Sequence, residues 1–273
     1  MIRSRERILK KIDFHIHTVP TISDSHFTFS LDVFKQYTSE VNLDAVAITN
    51  HDIFDQKQFT DIQNFLDVVV FPGIEINLEK CHVLIISDGS GLTDFQDKCN
   101  EVSKRVTNVG DYISVSELKS IFGDLNNYLV IPHYDKRPSI SSDTLKQISS
   151  YVFAGEVDSP KKFLRAMKDD TVLTPVLFSD MRVKEGISVF PQRSTYIDCG
   201  ELSLEAIKLC LQDKNKVALS QSDGNRLWPA LQDGQMLSTG LNVLLGDRSS
   251  GKSHTLDEIN ESHESVKYIE QFS

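Results

Sequence analysis

Short apolar runs alternate with amphipathic segments along most of the chain. "KIDFHI", "DAVAIT", "VVVFPGIEI", "CHVLIIS", "YLVIPH", "YVFAGEVD" and "TPVLFS" are rich in β-branched and aromatic residues and too short for helices, so they predict strands. Between and after them, "SLDVFKQYTSEV", "DQKQFTDIQNFL", "SVSELKSIF", "SDTLKQIS", "SPKKFLRAMK" and "SLEAIKLCLQD" carry apolar residues at helical spacing. Strand and helix in alternation predict an α/β fold with a mostly parallel sheet covered by helices, and about seven strands predict a closed or nearly closed barrel. In such barrels the chemistry gathers at the C-terminal ends of the strands.

The strand ends bear that out at the level of residue type. His15 and His17 close the first run, in "DFHIHT". On a strand they share one face, with Phe14 and Ile16 on the other. Such a pair either chelates one metal ion or sits as a satisfied polar pair at a strand end. The other strands weigh towards chelation: His51 follows the second run, Glu75 lies in the third and His82 opens the fourth. His133 closes the fifth, Glu156 and Asp158 close "GEVD", and Asp180 closes "FSD". Imidazole and carboxylate donors without thiolate suit Zn, Mn or Fe. More than four candidate ligands imply more than one ion, and a carboxylate such as Glu75 can bridge two. A pair of ions polarises a phosphoryl oxygen and activates water at neutral pH, so phosphate ester hydrolysis is the expected chemistry. Lys136 and Arg137, in "HYDKRP", add a candidate positive pocket or, alternatively, two solvated loop charges.

Composition narrows this only slightly. With 40% hydrophobic and 25% charged residues in 273, the chain reads as a globular protein. A net charge of −10 disfavours broad attraction to nucleic acid, without excluding a local basic pocket. Cys81, Cys99, Cys199 and Cys210 are far apart with no CxxC, so they are expected to be buried and reduced. No apolar run approaches the roughly 20 residues that span a bilayer, and the start lacks a signal-peptide core, so a cytoplasmic protein with no membrane partner is expected.

Taken together, "DFHIHT", "ITNHD", "GIEI", "HVLII", "IPH" and "FSD", in this order over residues 11–181, resemble the motifs of the PHP (polymerase and histidinol phosphatase) superfamily. The resemblance implies a distorted (β/α)7 barrel holding two or three divalent ions and hydrolysing phosphate esters. Residue by residue, it implies one ion on His15, His17, Glu75 and Asp180 and a second on Glu75, His82 and His133. A third would use His51 with Asp24 or His26. The chain departs from the family at "SDMR", where Arg182 stands in the place of a third-site histidine. Guanidinium cannot bind a metal. Either the third site is absent, or Arg182 replaces that ion's charge and grips substrate phosphate.

"GDRSSGKS", from Gly246 to Ser253, fits the phosphate-binding loop GxxxxGK[ST], after the apolar run "LNVLL" and before a helical segment. In the strand, loop, helix context, Gly246 and Gly251 let backbone N–H groups face phosphates, Lys252 reaches the terminal phosphates and Ser253 ligates Mg. "GLNVLLGDRSSGKS" resembles the start of ABC/SMC-type ATPases. These features divide the chain into a PHP domain at 1–222 and a linker with an ATPase fragment at 223–273, belonging to a longer protein whose ATPase part would support ATP/Mg binding and homo-oligomers. A PHP barrel joined to such an ATPase resembles the tRNA-lesion-factor group and the Ppl anti-phage proteins. The expected function is a metal-dependent phosphodiesterase or nuclease acting on nucleic acid or nucleotides, controlled by the ATPase in anti-phage defence. The alternatives are a phosphomonoesterase for a small metabolite and a non-catalytic PHP module.

Overall fold

The computed structural model describes residues 9–220, 227–231, 235–238, 242–262 and 269. Two compact units result, Met1–Leu219 and Ser220–Ser273. The expected boundary at 222/223 lies outside the described residues.

In the first unit the order is β1 (Leu9–His17), α1 (Leu31–Glu40), β2 (Ala45–Ile48), α2 (Gln56–Phe65), β3 (Val69–Leu78), β4 (Cys81–Ile86), α3 (Leu92–Ser103), α4 (Val115–Phe122), β5 (Leu129–Asp135), α5 (Ser142–Ile148), β6 (Ala154–Val157), α6 (Pro160–Ala166), β7 (Thr174–Val176), β8 (Met181–Arg182), β9 (Thr195–Asp198), α7 (Leu204–Cys210) and β10 (Val217–Ala218). Helix starts follow side-chain chemistry: Ser30, Asp55, Ser141 and Ser203 each accept a backbone N–H of the first turn, and Ser114 forms a reciprocal capping box with Glu117.

The strands form one nearly closed, barrel-shaped sheet in the order β10-β9-β1-β2-β3-β4-β5-β6-β7, with β8 added beside β1. At the seam the Thr195 hydroxyl of β9 donates to the Leu177 carbonyl at 3.0 Å and accepts its N–H at 2.8 Å. All seven expected strands form, but the sheet is less parallel than expected. β4 runs antiparallel to β3 and to β5, and β9 antiparallel to β1. The cause is local: only Glu79 and Lys80 separate β3 from β4, and two residues allow a hairpin but no crossover.

Alternation along the strands builds two apolar layers. Val70, Ile74, Ile76, Val83, Ile85 and Val130 pack against the helices, whereas Phe71, Leu84, Ile86, Leu129 and Ile131 pack with Ile12, Phe14, Ala45 and Ala47. On that second, inner face the pattern turns polar towards one end of the barrel, from Phe71 to Glu75, from Leu84 back to His82 on the antiparallel β4, and from Ile131 to His133. β1 departs from the simple period. Its register with β2 shifts between Asp13 and Ile16, so Phe14 lies in the inner layer and Ile16 in the outer one, not on a shared face as the sequence suggested.

In the second unit β11 (Leu227–Pro229) pairs with β12 (Met236–Ser238), and α8 spans Lys252–Ser262. The expected strand over "LNVLL" does not form at 242–245: those residues are irregular, and Val243 and Leu245 are exposed. A strand needs a neighbour for its backbone groups, and none pairs with it among the described residues. The loop itself curls around its lysine, with Lys252 Nζ donating to the carbonyls of Gly246 at 2.8 Å and Asp247 at 2.7 Å, and Gly251 at φ +89°.

Gly155 marks the tightest approach in the barrel, because a Cβ there would lie 2.5 Å from Tyr134 Cβ on the neighbouring strand. That atom is fixed to the backbone, so β5 and β6 would have to part beside His133 and Glu156. Gly155→Ala is expected to lower stability by about 1–3 kcal/mol in urea unfolding, and an unchanged midpoint would contradict the close packing.

Candidate metal centre

Glu75 is the hub. It is 1% exposed, and the backbone around it is tied down: Asp52 N–H donates to its carbonyl at 2.8 Å and its own N–H to the Asn50 carbonyl at 3.0 Å. Those bonds set His51 beside it. The β3–β4 hairpin brings in His82, whose Nδ1 lies 2.7 Å from Glu75 Oε1, and β5 brings His133 Nε2 to 3.2 Å. β1 delivers His15 Nε2 and His17 Nε2 to 3.0 and 3.4 Å from Glu75 Oε2. Pairing of β8 with the end of β1 places Asp180 and Arg182 beside His17. Asp180 adopts a left-handed backbone at φ +55°, a conformation that costs about 1–2 kcal/mol and is tolerated best by Asn, Asp and Gly.

One group of donors has the dimensions of an ion's coordination shell. His15 Nε2, His17 Nε2, Glu75 Oε2 and Asp180 Oδ1 are separated by 3.0, 3.5, 3.4 and 3.1 Å along four of their six edges. A tetrahedral ion with ligands at about 2.0–2.1 Å has edges of about 3.3 Å. Further sets capable of holding an ion are His15, His133 and Glu156; His17, Asp24 and His51; and His51, Glu75 and His82. The imidazoles also have unused capacity: His17 Nδ1, His51 Nδ1 and both ring nitrogens of His133 are buried without an aligned hydrogen-bond partner. Buried polar atoms left this way are costly in a closed protein. Of these, His133 Nε2, 3.2 Å from Glu75 Oε1, is placed for an ion shared with that carboxylate; the others lie outside the four-donor set.

The centre therefore gathers His15, His17, Asp24, His51, Glu75, His82, His133, Asp180 and Arg182. His26 and Arg137 are exposed, outside these donor sets, and Asp158 is bound to Lys162 at 2.6 Å instead. Behind these donors stand Glu156, expected only as a strand-end donor, Lys136, expected as a candidate positive pocket or a solvated loop charge, and Asp13, which had no expected role. Glu156 Oε2 lies 2.8 Å from His15 Nδ1, and Lys136 Nζ lies 2.8 Å from Glu156 Oε1, 2.9 Å from Asp180 Oδ2 and 2.9 Å from His15 Nδ1. His15 Nδ1 donates to Glu156, the stronger acceptor, since the ammonium has two carboxylates of its own. This leaves Nε2 facing the tetrahedral set, the arrangement that orients a histidine ligand. Asp13 sits behind the strand, accepting from Tyr37 Oη at 2.6 Å, Ser179 N–H at 3.1 Å and His15 N–H at 3.3 Å.

Electrostatics follow from this crowding. Burial would lower the His15 imidazole, but Glu156 and Glu75 outweigh it and raise it to about 10. Burial dominates at His17, lowered to about 4, and lowers His82. Burial would raise Glu75, Glu156 and Asp180, yet His15 and the neighbouring cations hold all three below the usual carboxylate range. Next to His51 and His82 opens a cleft of about 470 Å³, lined also by Asn77, Lys80, Val109 and Tyr112. A larger depression of about 570 Å³, near Lys98 and Lys208, contains none of the site residues.

Comparison with known proteins extends the fold but not the chemistry. No family model matches the sequence, and no curated protein does. The fold is similar to that of PsfC from Pseudomonas syringae, with a TM-score of 0.51 and 18% identity over 75% of this chain and 89% of that one. Looser likenesses are to two further proteins. One, from Bacteroides vulgatus, is a two-domain protein described as containing a predicted PHP-like metal-dependent phosphoesterase; its TM-score is 0.48 at 16% identity, over 77% of this chain, which spans 64% of that one. The other, from Bifidobacterium adolescentis, carries a provisional assignment as a metal-dependent phosphoesterase, with a TM-score of 0.43 at 12% identity over 73% and 95% of the two chains. Among the described residues no helix is long and apolar enough to cross a membrane.

The opposed histidine shifts set a pH optimum for stability in metal-free protein. His15, raised on folding, contributes fully below about 6.5 and loses its contribution as the pH climbs towards about 10. His17 and His82, lowered on folding, contribute above about 6.5 and lose it as the pH falls, His17 towards about 4. Below that the depressed carboxylates protonate and add to the loss. The melting temperature after chelator treatment is expected to peak near pH 6.5. A melting temperature that rises from pH 7 to 9 would contradict the His15 ion pairs.

Proposed function

We propose that this chain is a metal-dependent phosphoesterase acting on phosphodiesters of nucleotides or nucleic acid. The observation that carries the reading is the four-donor set on His15, His17, Glu75 and Asp180, with edges of 3.0 to 3.5 Å, beside further imidazoles that share Glu75. Divalent ions on these donors would polarise a phosphoryl oxygen and lower the pKa of water. The chain's own cations complement them: Lys136 offsets the charge of Glu156 and Asp180, and Arg182 is 31% exposed at the edge of the centre. Arg182 has five N–H groups, and four find partners within the protein. The fifth is assigned to a substrate phosphoryl oxygen. The cleft beside His51 and His82 takes the remainder of the substrate, with Val109 and Tyr112 offering apolar surface to a base or sugar and Lys80 a charge for a neighbouring phosphate. The two carboxylates in its lining are partly occupied, Glu79 by Val115 N–H and Asp111 by the Thr107 and Asn108 N–H groups.

In this reading the Gly246–Ser253 loop, with Gly251, Lys252 and Ser253 at the start of α8, binds nucleotide phosphate with Mg as part of a longer ATPase that controls the hydrolase. A role in anti-phage defence, homo-oligomers formed through that ATPase and a cytoplasmic location belong to the same proposal. Their support is the sequence pairing of the two motifs.

The test is hydrolysis of oligonucleotides and nucleotides with added Mn or Zn, by wild type and by His15→Ala/His17→Ala. The double variant is expected to lose more than about 100-fold in rate together with bound metal. Cleavage of an aryl monophosphate but no oligonucleotide would redirect the substrate to small monoesters. An unchanged rate in the double variant would refute the metal reading.

A further inference from the structure

His17, Asp24 and His51 bring donor atoms within 4.8 Å of one another, so by composition they form a third ion-holding group. Arg182 already occupies it. Its Nε donates to Asp24 Oδ1 at 2.9 Å, and one terminal nitrogen lies 3.2 Å from His51 Nε2. The other terminal nitrogen donates to the Asp180 backbone carbonyl at 2.9 Å and to the Asp180 carboxylate. A guanidinium keeps its charge at all working pH values and accepts nothing. A divalent ion entering this group would meet a fixed positive charge bonded to two of its three intended ligands.

The same contact fixes a tautomer. Because Arg182 only donates, His51 Nε2 presents its lone pair to it. A neutral His51 then carries its proton on Nδ1, which lies 2.9 Å from Glu75 Oε2 without an aligned hydrogen bond to it. Neither nitrogen retains a lone pair for an ion. The groups that remain are His15, His17, Glu75 and Asp180 on one side and, on the other, Glu75 Oε1 with His82 Nδ1 and His133 Nε2 at 2.7 and 3.2 Å; the His15, His133 and Glu156 group is closed by the His15 Nδ1–H donated to Glu156.

We propose that Arg182 fills the third cation position of this centre with a side-chain charge, limiting it to two ions, and that His51 is a positioning residue whose Nε2 accepts from Arg182 rather than a ligand. The proposal rests on the metal-dependent reading above and fails separately from it. Asp24 is then the anchor that holds Arg182 in place, and its side chain is 1% exposed, as an anchor in a paired site requires.

The experiment is elemental analysis after reconstitution with Mn or Zn and removal of excess ion. Wild type is expected to hold about two equivalents, His51→Gln to keep about two and His82→Gln to fall to about one. Arg182→His, which restores an imidazole to the outer group, is expected to gain about one. In metal-loaded protein, nitrogen NMR is expected to show His51 protonated at Nδ1. About three equivalents in wild type, loss of an ion in His51→Gln, or His51 protonated at Nε2 would each overturn the proposal while leaving the phosphoesterase reading intact. Less than about half an equivalent in reconstituted wild type would remove the metal reading and this proposal with it. The wild-type count needs no variant, so a variant that fails to fold leaves the proposal testable.

Discussion

Everything around the barrel mouth depends on burying Glu75. An ionised carboxylate taken out of water costs several kcal/mol unless opposite charge and hydrogen bonds meet it. Here five histidines from three strands and one loop come within reach of its two oxygens, and Lys136 and Arg182 stand behind Glu156, Asp180 and Asp24. The elements that deliver these side chains are set by that requirement. β8 is only two residues long, yet its pairing with β1 carries both Asp180 and Arg182 to the centre. The apolar half of the inner face supplies the rigidity that such a charge arrangement needs, because Phe14, Phe71, Leu84 and Ile131 leave the polar half little freedom to relax.

The layout also explains why the centre contains more positive charge than a set of ligands alone. Glu75, Glu156, Asp180 and Asp24 converge within one small volume, and a charged His15 alone does not balance them. Lys136, between Glu156 and Asp180, and Arg182, between Asp24 and Asp180, each bridge two carboxylates. Two side-chain cations thus do part of the work of ions, and both reach the four-donor set, Arg182 bonding Asp180 Oδ1 and Lys136 its Oδ2.

Much of this was readable in the sequence for a definite reason. Histidine is scarce, and its recurrence at strand ends stands out against an apolar background, so His15, His17, His51, His82 and His133 were visible together with Glu75 and Asp180. Glu156 and Lys136 were visible as residues but not in role: a carboxylate behind a ligand and a lysine behind a carboxylate have no spacing rule, because the contacts are across strands. The shift in β1 that separates Phe14 from Ile16 was hidden for the same reason, being a property of pairing with β2. The antiparallel β3–β4 pair is different. A two-residue gap between "GIEINL" and "CHVLII" excludes a crossover, and the general alternation of strand and helix masked it. "LNVLL" failed in the opposite direction, since its composition favours a strand but pairing partners decide whether one forms.

The two-residue turn at Glu79 and Lys80 also distributes the entropy of assembly unequally. Glu75 and His82 are joined by a loop of a few residues, so bringing them together costs little and needs no other part of the barrel. His15 meets Glu75 across 60 positions and His17 meets Asp180 across 163, each closing a loop whose chain entropy is surrendered only when the sheet is complete. One half of the centre is thus a local chelate built into a hairpin, and the other half is a clasp that exists only when the first and last thirds of the barrel are joined.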